Sequence, residues 1–425
     1  MSAVPHPCDE LVATMQRIYR YRMTTTSGGN LSIRDRDGGI WITPARVDKG
    51  TLTPEDIVHV RPDERREGRH PPSSEFPFHR EIYRRRPDLG AIVHAHPGAL
   101  VAFSICRLLP DTRVQSHVHE VCGRVALAPY ACPGTQALGD NIAATFAAGA
   151  NCVLLENHGV VVGGHDLRDA FQRFETLEFA AQTLIRAAGL GQLQTLAPDE
   201  LAVNTMPFFA AMAPPEIGAE ELRRRAQICD FLHRAYQQRL LISTAGAFSV
   251  REDDGFVITP RRRDRLELQP DGLVTVRGDR CAEGQTPSRA ARLHAEIYAC
   301  HPAVGAVINA QPAHASAFCV TDAALITHTI PESYVVLRDV PRLPFQRIVE
   351  DAQAIARAID PVRCPVLLIA NEGAIVAGRT LLETFDRLEV LEATAEAILF
   401  AQRLGPLVLM PDDALAELRR TFGMT

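Results

Sequence analysis

Apolar residues recur at two different spacings along this chain, and the spacings predict which segments are helices and which are strands. Leu11, Met15 and Ile18 lie three or four residues apart, as on one face of a helix. Short apolar runs such as "NLSIR", "GIWITP" and "AIVHAHP" instead predict strands. Further helices are expected around "FPFHREIYRRR" and from Asp166 to Ala188. Because strands and helices alternate, the pattern predicts an α/β fold.

The same series of segments occurs twice. The stretch "FHREIYRRRPDLGAIVHAHPGALVAF" matches the later stretch "LHAEIYACHPAVGAVINAQPAHASAF". His79 then corresponds to His294, at an offset of 215 residues. Two further pairs of blocks keep the same order. The sequence therefore predicts a tandem duplication, with one domain at residues 1–212 and the other at 213–425. We expect the joint in the proline-containing stretch "AAMAPPEIGAEE".

Composition narrows the range of partners. The 425 residues are 46% hydrophobic and carry a net charge of -6, which argues against nucleic acid or an anionic membrane as a partner. No apolar run is long enough to span a membrane, and the start "MSAVPHPCDELVATM" does not resemble a secretory signal. Ten cysteines without a CxxC pair are typical of a reducing compartment. We expect a cytoplasmic protein that acts on a small-molecule substrate.

Two histidines end a strand that otherwise looks buried. Alternate side chains of a strand face the same way, so His94 and His96 are predicted to share one face. His158 is expected at the end of another strand, predicted as the single run "CVLLENHGVVVGG", and Glu75 at the start of a helix. Three imidazoles and one carboxylate suit zinc or a similar divalent ion. Taken singly, each of these residues is better explained by a structural role, which for Glu75 is that of a first-turn acid that meets the helix dipole.

The second half of the chain provides an internal control for this metal site. The positions that match the four candidate ligands carry different residues there, namely Ala290, Asn309, Gln311 and Glu372. Residues that maintain the fold should persist in both copies, whereas residues that serve one site can be lost together once that site is idle. The joint change therefore favours a metal site in the first half and none in the second.

The segments "SGGNLS", "ITP", "SSE", "HAHP" and "ENHG", in this order, resemble the class II aldolase/adducin family. The resemblance covers residues 8–190 and, more weakly, 220–410. It implies two tandem α/β/α domains, each with a central, mainly antiparallel sheet, of which the second is degenerate and lacks the metal ligands. It also implies a homo-oligomer whose active site lies near a domain or subunit interface.

The resemblance also implies roles for the candidate ligands. His94, His96 and His158 would bind one divalent metal ion per chain, most readily zinc, with manganese, cobalt or iron as alternatives. Glu75 would ligate the ion in the resting site and act as acid and base during turnover. The implied enzyme is a metal-dependent carbon–carbon lyase that performs aldol cleavage or decarboxylation on a small hydroxy-carbonyl or hydroxy-acid substrate, through a metal-stabilised enediolate or carbanion.

Two other functions stay open at this point. One is a sugar-phosphate epimerase or dehydratase of the same family, and the other is a non-catalytic, adducin-like scaffold or binding protein. The second half of the chain fits the scaffold description, whereas the first half retains the candidate ligands. Stoichiometric bound metal would separate an enzyme from a scaffold.

Substrate-binding residues are implied by the same resemblance. The positions that hold the phosphate in sugar-phosphate members of the family are matched here by Gly29, Asn30, Ser73 and Ser74. After "ITP", where the family usually has a small residue and a glycine, Ala45 and Arg46 stand instead. Because an arginine can bind a carboxylate bidentately, Arg46 favours a carboxylate-bearing substrate. The structural alternative is that the glycines only form a turn.

One expected catalytic residue differs from the family pattern. The family's aldolases use a tyrosine that a neighbouring subunit supplies, and "QSHVHEVCG" places His117 near that position. Histidine can donate a proton near neutral pH, so His117 is a candidate catalytic acid. His117 and His119 also form a second His-x-His pair, but no third ligand is apparent nearby, so an ordinary surface or interface position is expected for them and a separate metal site is the alternative.

Overall fold

The structure, a computed structural model, describes residues 5–202 and 208–424. The chain divides into two units, which are unit 1, Met1–Thr112 and Val118–Gln182, and unit 2, Arg113–His117 and Thr183–Thr425. The domain ranges 1–212 and 213–425 follow the sequence repeat and stay a prediction. Met1 and Thr425, the outer ends of these ranges, lie outside the described residues. So do the first four residues of the start "MSAVPHPCDELVATM", which is not expected to be a secretory signal.

The first part of the chain forms six helices and eight strands within residues 5–187. The helices are α1 Pro7–Arg20, α2 Phe76–Arg85, α3 Gly98–Cys106, α4 Ser116–Cys122, α5 Gln136–Ala147 and α6 Leu167–Ala187. The strands are β1 Asn30–Arg34, β2 Ile40–Ile42, β3 Val58–Val60, β4 Arg66–Glu67, β5 Ala91–Ala95, β6 Val125–Ala128, β7 Cys152–Leu155 and β8 Val160–Gly164.

The strands of unit 1 form one sheet in the order β4-β3-β2-β1-β5-β8-β7-β6. Neighbouring strands pair antiparallel, except that β6 and β7 are parallel. Side chains alternate across β5: Val93 joins the apolar cluster that contains Leu11 and Phe174, whereas Ile92 joins the cluster that contains Phe146. Helices therefore cover both faces of the sheet, with α1 and α6 on one face and α2 and α5 on the other.

The rest of the chain forms nine α-helices and nine strands within the described residues 198–202 and 208–424. The helices are α7 Pro198–Ala202, α8 Ala219–Gln237, α9 Ala291–Cys300, α10 Ala315–Cys319, α11 Pro331–Leu337, α12 Gln346–Glu350, α13 Ala352–Ala358, α14 Leu381–Leu404 and α15 Asp412–Thr421. The strands are β9 Ala210–Met212, β10 Ala247–Glu252, β11 Gly255–Ile258, β12 Val274–Arg277, β13 Arg280–Ala282, β14 Ala306–Ala310, β15 Arg342–Leu343, β16 Val366–Ile369 and β17 Gly373–Gly378.

The sheet of unit 2 repeats the strand order of unit 1. Its order is β15-β16-β17-β14-β10-β11-β12-β13-β9, in which β9 is an added edge strand parallel to β13. Ile297 of α9 and Ile355 of α13 share an apolar cluster with Val307 of β14. The ring of Phe231 on α8 lies 4.8 Å from the ring of Phe385 on α14. Both predicted features of the fold, an α/β class and mainly antiparallel central sheets, are confirmed.

The structure corrects one predicted strand. The run "CVLLENHGVVVGG" is a hairpin of the antiparallel strands β7 and β8, and His158 lies in the turn between them rather than at a strand end. Asn157 has a left-handed backbone with φ of 54°, which lets the chain reverse there. Across the described residues, no helix combines the length and the apolar character needed to cross a membrane.

Candidate functional site

Strand β5 positions the first candidate ligand. His94 is fully buried, lies opposite Asn30 in the pairing of β1 with β5, and has the edge of its ring against Phe78. Its Nδ1 lies 2.9 Å from the carbonyl oxygen of Val160, to which it donates a hydrogen bond. This bond fixes the orientation of the ring and leaves Nε2 facing the other candidate ligands, as is typical of a histidine that ligates a metal.

Two turns bring the other imidazoles to His94. His96 follows β5 and packs so closely against Gly159 that a Cβ at this glycine would lie 2.6 Å from His96 Cδ2 and 2.7 Å from the carbonyl oxygen of Ala95. Only glycine fits at that contact. The backbone N–H of His158 donates to Ser104 Oγ over 3.0 Å, which anchors the turn between β7 and β8.

The donor atoms of this cluster suit a divalent cation. One ring nitrogen from each of His94, His96 and His158 lies within 4.8 Å of the others, and the Nε2 atoms of His94 and His96 are 3.1 Å apart. Glu75, the N-cap residue of α2, places Oε2 3.2 Å from His94 Nε2 and Oε1 3.7 Å from His158 Nε2. Oε1 is buried and accepts no hydrogen bond from any residue that the structure describes. Three ring nitrogens that face one another and an unsatisfied buried carboxylate oxygen form a donor set that a bound cation would satisfy.

The electrostatics set the protonation states of Glu75, His96 and His158. Burial acts to raise the pKa of Glu75, but the charge and hydrogen bond of His94 outweigh it and hold that pKa well below its ordinary value. Burial lowers the pKa of His96 to about 3 and that of His158 to about 4, and the charge of His94 adds to both shifts. The carboxylate is therefore ionised and these two imidazoles are neutral near pH 7, which are the forms that bind metals.

Several predicted substrate-binding residues lie beside this cluster. Gly29 has φ of 73°, and a Cβ there would lie 2.7 Å from the carbonyl oxygen of His94. Asn30 donates from Nδ2 to Glu75 Oε2 over 2.7 Å. The N–H of Ser73 donates to the carbonyl of Thr43 at the end of β2, and Ser73 Oγ accepts from the N–H of Glu75.

The two remaining predicted substrate-binding residues are exposed. Ser74 directly precedes Glu75 at the start of α2, with its side chain in solvent. Arg46 lies in the loop after β2, also exposed, with a left-handed backbone of φ 60°. Positive charge is therefore available at the surface of this loop, and the role of Arg46 stays a prediction.

His117 belongs to the other unit. The segment Arg113–His117 groups with unit 2, where Gln115 Nε2 donates to the carbonyl of Glu372 and Ser116 Oγ donates to a carboxylate oxygen of Glu372 over 2.8 Å. His119 is in unit 1, with Nδ1 3.0 Å from Thr112 Oγ1. The catalytic role of His117 stays a prediction.

In unit 2 the matching positions hold a different structure. Ala290 is the N-cap of α9, Asn309 lies on β14, and Glu372 takes the place of His158 in the turn before β17. Arg289 Nη2 lies 2.6 Å from Glu372 Oε1. This carboxylate is already neutralised by an arginine and has no imidazole at the matching positions, so the donor set does not suit a divalent ion.

Sequence reasoning missed the buried polar groups behind the candidate metal ligands. His79 is completely buried and lies between Ser32 and Asn30, and Asn30 in turn contacts Glu75. The available signal was the repeat itself, because His79 and His294 match while the candidate ligands do not.

Comparison with known proteins agrees with this geometry. The profile of the Class II Aldolase and Adducin N-terminal domain matches residues 9–185 and again residues 226–399. The chain belongs to this family. The two matched segments agree with the two sheets and with the predicted tandem arrangement.

Individual relatives of this family include both aldolases and decarboxylases. The chain is 35% identical to a 5-deoxy-D-ribulose 1-phosphate aldolase of Bacillus thuringiensis, over 45% of this chain and 91% of the relative. It is 33% identical to a 3-oxo-tetronate 4-phosphate decarboxylase of Haemophilus influenzae, over 42% of this chain and 88% of the relative. A solved L-fuculose 1-phosphate aldolase is 31% identical, with a TM-score of 0.43, over 47% of this chain and 94% of that one. The predicted enzyme class, a lyase of the class II aldolase or decarboxylase type, is confirmed.

Proposed function

We propose that unit 1 is a divalent-metal-dependent carbon–carbon lyase for a small hydroxy-carbonyl substrate that carries an anionic group. The observation that supports this most strongly is the convergence of three imidazoles, each offering a nitrogen within 4.8 Å of the others, beside the buried carboxylate of Glu75. His94, His96, His158 and Glu75 would hold the ion, with zinc the first choice for a set of nitrogen and oxygen donors.

The bound ion would supply a Lewis acid that stabilises negative charge on substrate oxygens. The residues of the chain supply proton transfer and orientation. In either lyase reaction a carbon–carbon bond breaks and the carbon that keeps the electron pair must receive a proton. In an aldol cleavage the hydroxyl on the carbon that leaves as the aldehyde also loses its proton, as that carbon becomes a carbonyl. The ionised carboxylate of Glu75 is the group in unit 1 that is placed to accept and return such a proton.

The anionic end of the substrate would bind where three loops meet. Gly29 packs closely against the carbonyl oxygen of His94, and Ser73 lies next to Glu75. Ser74 and Arg46 present a hydroxyl and a guanidinium at the surface. An arginine matches a carboxylate or a phosphate bidentately. Two of the relatives bear on this choice, since one acts on a sugar phosphate and the other on a phosphorylated oxo acid. We propose a phosphate or a carboxylate as the group recognised, with Arg46 favouring substrates that contain a carboxylate.

A substrate screen on the metal-loaded, full-length chain tests the proposal. The panel contains ketose 1-phosphates, phosphorylated oxo acids and unphosphorylated hydroxy-oxo acids. Release of an aldehyde would assign aldol cleavage, and release of carbon dioxide would assign decarboxylation. Turnover only of ketose phosphates without a carboxylate would contradict the role given to Arg46. Epimerised or dehydrated products without carbon–carbon cleavage would contradict the lyase proposal itself.

Metal analysis separates this enzyme from a scaffold. The proposal expects about one divalent ion per chain, removable by a chelator and restorable with loss and recovery of activity. A protein that binds no divalent ion stoichiometrically under saturating zinc, manganese, cobalt or iron would contradict it.

The oligomeric state is a separate proposal. We propose a homo-oligomer in which another part of the assembly completes the active site, with His117 as a candidate acid. Light scattering combined with activity across a dilution series tests this, because an active monomer would contradict it.

A further inference from the structure

A chain of buried side chains runs behind the candidate metal site. The hydroxyl of Tyr83 lies 2.8 Å from Ser32 Oγ, and Ser32 Oγ lies 2.6 Å from His79 Nδ1. His79 Nε2 lies 2.5 Å from Asn30 Oδ1, and Asn30 Nδ2 lies 2.7 Å from Glu75 Oε2. This series, named here the His79 relay, lies entirely in unit 1 and ends on the carboxylate that faces His94.

The acceptor at the end of the relay fixes the direction of every hydrogen bond. An ionised carboxylate only accepts, so Asn30 must present its N–H group to Glu75 and its oxygen to His79. His79 Nε2 must then carry the hydrogen and donate to Asn30. Since burial lowers the pKa of His79 to about 3, the ring is neutral and carries one N–H. Its Nδ1 therefore accepts, and the hydroxyl of Ser32 donates to it.

Unit 2 contains the same arrangement without the carboxylate. His294, also completely buried, has Nδ1 2.6 Å from Ser249 Oγ, and Ser249 Oγ lies 2.7 Å from the hydroxyl of Tyr298. His294 Nε2 lies 2.7 Å from Asn309 Oδ1. The residue at the position of Glu75 is Ala290, so in unit 2 this series ends at the amide.

The amide itself has moved between strands. In unit 1, Asn30 of β1 pairs with His94 of β5, whereas in unit 2, Ala247 of β10 pairs with Asn309 of β14. The buried histidine therefore keeps an amide oxygen as its partner in both units, because leaving its N–H unsatisfied would cost about 1–3 kcal/mol. Only in unit 1 is the amide on the strand from which its nitrogen reaches a carboxylate, that of Glu75.

We propose that His79 is a positioning residue for the lyase site: it holds the Asn30 amide in the orientation that donates to Glu75, and so sets the position of the carboxylate for metal binding and proton transfer. This inference rests on the proposed function of unit 1. In the opposite orientation the amide oxygen would face the carboxylate, and the two acceptors would repel each other. The matching His294 then has the same structural contacts and no positioning role.

The repeat provides a matched pair of variants. In His79→Phe and His294→Phe a ring of similar shape replaces each buried imidazole without a donor or an acceptor. Both variants should lower the free energy of unfolding by a similar amount. Only His79→Phe should weaken zinc binding to the apoprotein, measured by competition with a chromogenic chelator, and lower kcat. Each effect should be about tenfold, the lower end of the range for residues that contact a metal ligand directly. Equal effects of the two variants on zinc affinity would overturn the proposal.

A milder pair of variants covers the case in which the phenylalanine variants do not fold. Ser32→Ala and Ser249→Ala each remove the hydroxyl that holds the histidine ring while the ring remains. Ser32→Ala should weaken zinc affinity several-fold and Ser249→Ala should leave it unchanged. Unchanged zinc affinity in both would overturn the proposal.

Ring nitrogen chemical shifts test the relay without metal or substrate. Long-range proton–nitrogen NMR of the apoprotein should place the hydrogen of His79 on Nε2, and the His79→Phe variant assigns the signal. A hydrogen on Nδ1 would overturn the proposal even in an active lyase. A selective loss of zinc affinity in His79→Phe would support it whether or not the substrate screen finds a lyase reaction, so failure of the two proposals can be told apart.

Discussion

Units 1 and 2 share their strand order but differ at the positions where chemistry is proposed. Unit 1 has three imidazoles and a carboxylate around a common point, whereas the matching part of unit 2 is closed by an ion pair between Arg289 and Glu372. The buried histidines His79 and His294 keep the same hydroxyl partners in both units. The comparison teaches that polar groups that hold the fold were kept in both copies, while the candidate metal ligands changed together.

A second contact that both units share holds the loop after β2 in unit 1 and the loop after β11 in unit 2. In unit 1 the buried Lys49 donates from Nζ to the carbonyl of Pro44 over 2.7 Å. In unit 2 the buried Arg265 donates from Nη1 to the carbonyl of Pro260 over 3.0 Å. A buried cation at this loop is therefore structural, because it recurs in the unit that lacks the metal ligands.

The largest expected effect comes from giving unit 1 the residues of unit 2. The double variant His94→Asn, His96→Gln should lose the bound divalent ion, measured by elemental analysis. Its kcat/KM should fall by about 1,000-fold or more, since a Lewis acid contributes several kcal/mol to the stabilisation of the transition state. The control is Gln311→Ala in unit 2, which should keep both metal and activity. If the double variant retained the metal, the proposed difference between the two units would be wrong.

The second largest effect is expected when the carboxylate of Glu75 is replaced. Glu75→Gln keeps the size of the side chain but cannot accept a proton, so kcat should fall by about 100-fold or more, the range for a lost general acid or base. The variant should still fold, as judged by circular dichroism and thermal unfolding. Glu372→Gln, which removes the acid of unit 2, should leave kcat unchanged. Similar losses of kcat in both variants would mean that the two units do not differ in the way proposed.

Lys49 predicts a dependence of stability on pH. Burial lowers its pKa from 10.5 to about 8, so above pH 8 the folded protein has released a proton that the unfolded chain still binds. Stability relative to Lys49→Met should therefore rise between pH 8 and 10.5, by up to about 3 kcal/mol. Urea unfolding of both proteins across this range checks the difference. Parallel stability curves for the two proteins would show that Lys49 is not held in a neutral form.

The smallest expected effect concerns Arg46, in the loop after β2. Arg46→Ala should raise KM for a carboxylate- or phosphate-bearing substrate by about tenfold or more with little change in kcat, since a hydrogen bond to a charged group contributes about 1.5–3 kcal/mol. Arg262 occupies the matching loop of unit 2 with a similar left-handed backbone, φ 53°. Arg262→Ala should leave KM unchanged, and a rise in KM for this variant alone would move substrate recognition to unit 2.

Local patterns in the sequence predicted the elements that carry the ligands. The alternation of "AIVHAHP" places His94 on the face opposite Val93, as the strand requires. The helix predicted from Asp166 to Ala188 is observed at Leu167–Ala187. The hairpin around His158 was missed because its two strands are both apolar and buried, so the run reads as one continuous strand.

Contacts between distant residues could not be predicted from these patterns. The bond from Asn30 to Glu75 joins residues 45 positions apart, and that from His79 to Ser32 joins residues 47 apart. Such contacts depend on the order of strands in the sheet and on the helix that packs across them, which local periodicity does not encode. The burial of Lys49 was missed for the same reason, because a lysine in a polar loop gives no local signal of burial.

The location of the bound metal tests the central claim most directly. Crystals of the full-length chain saturated with zinc, measured at the zinc absorption edge, should show one anomalous peak per chain, between His94, His96 and His158 and next to Glu75. The account predicts no corresponding peak beside Glu372. A peak in unit 2, or none in unit 1 at full saturation, would contradict it.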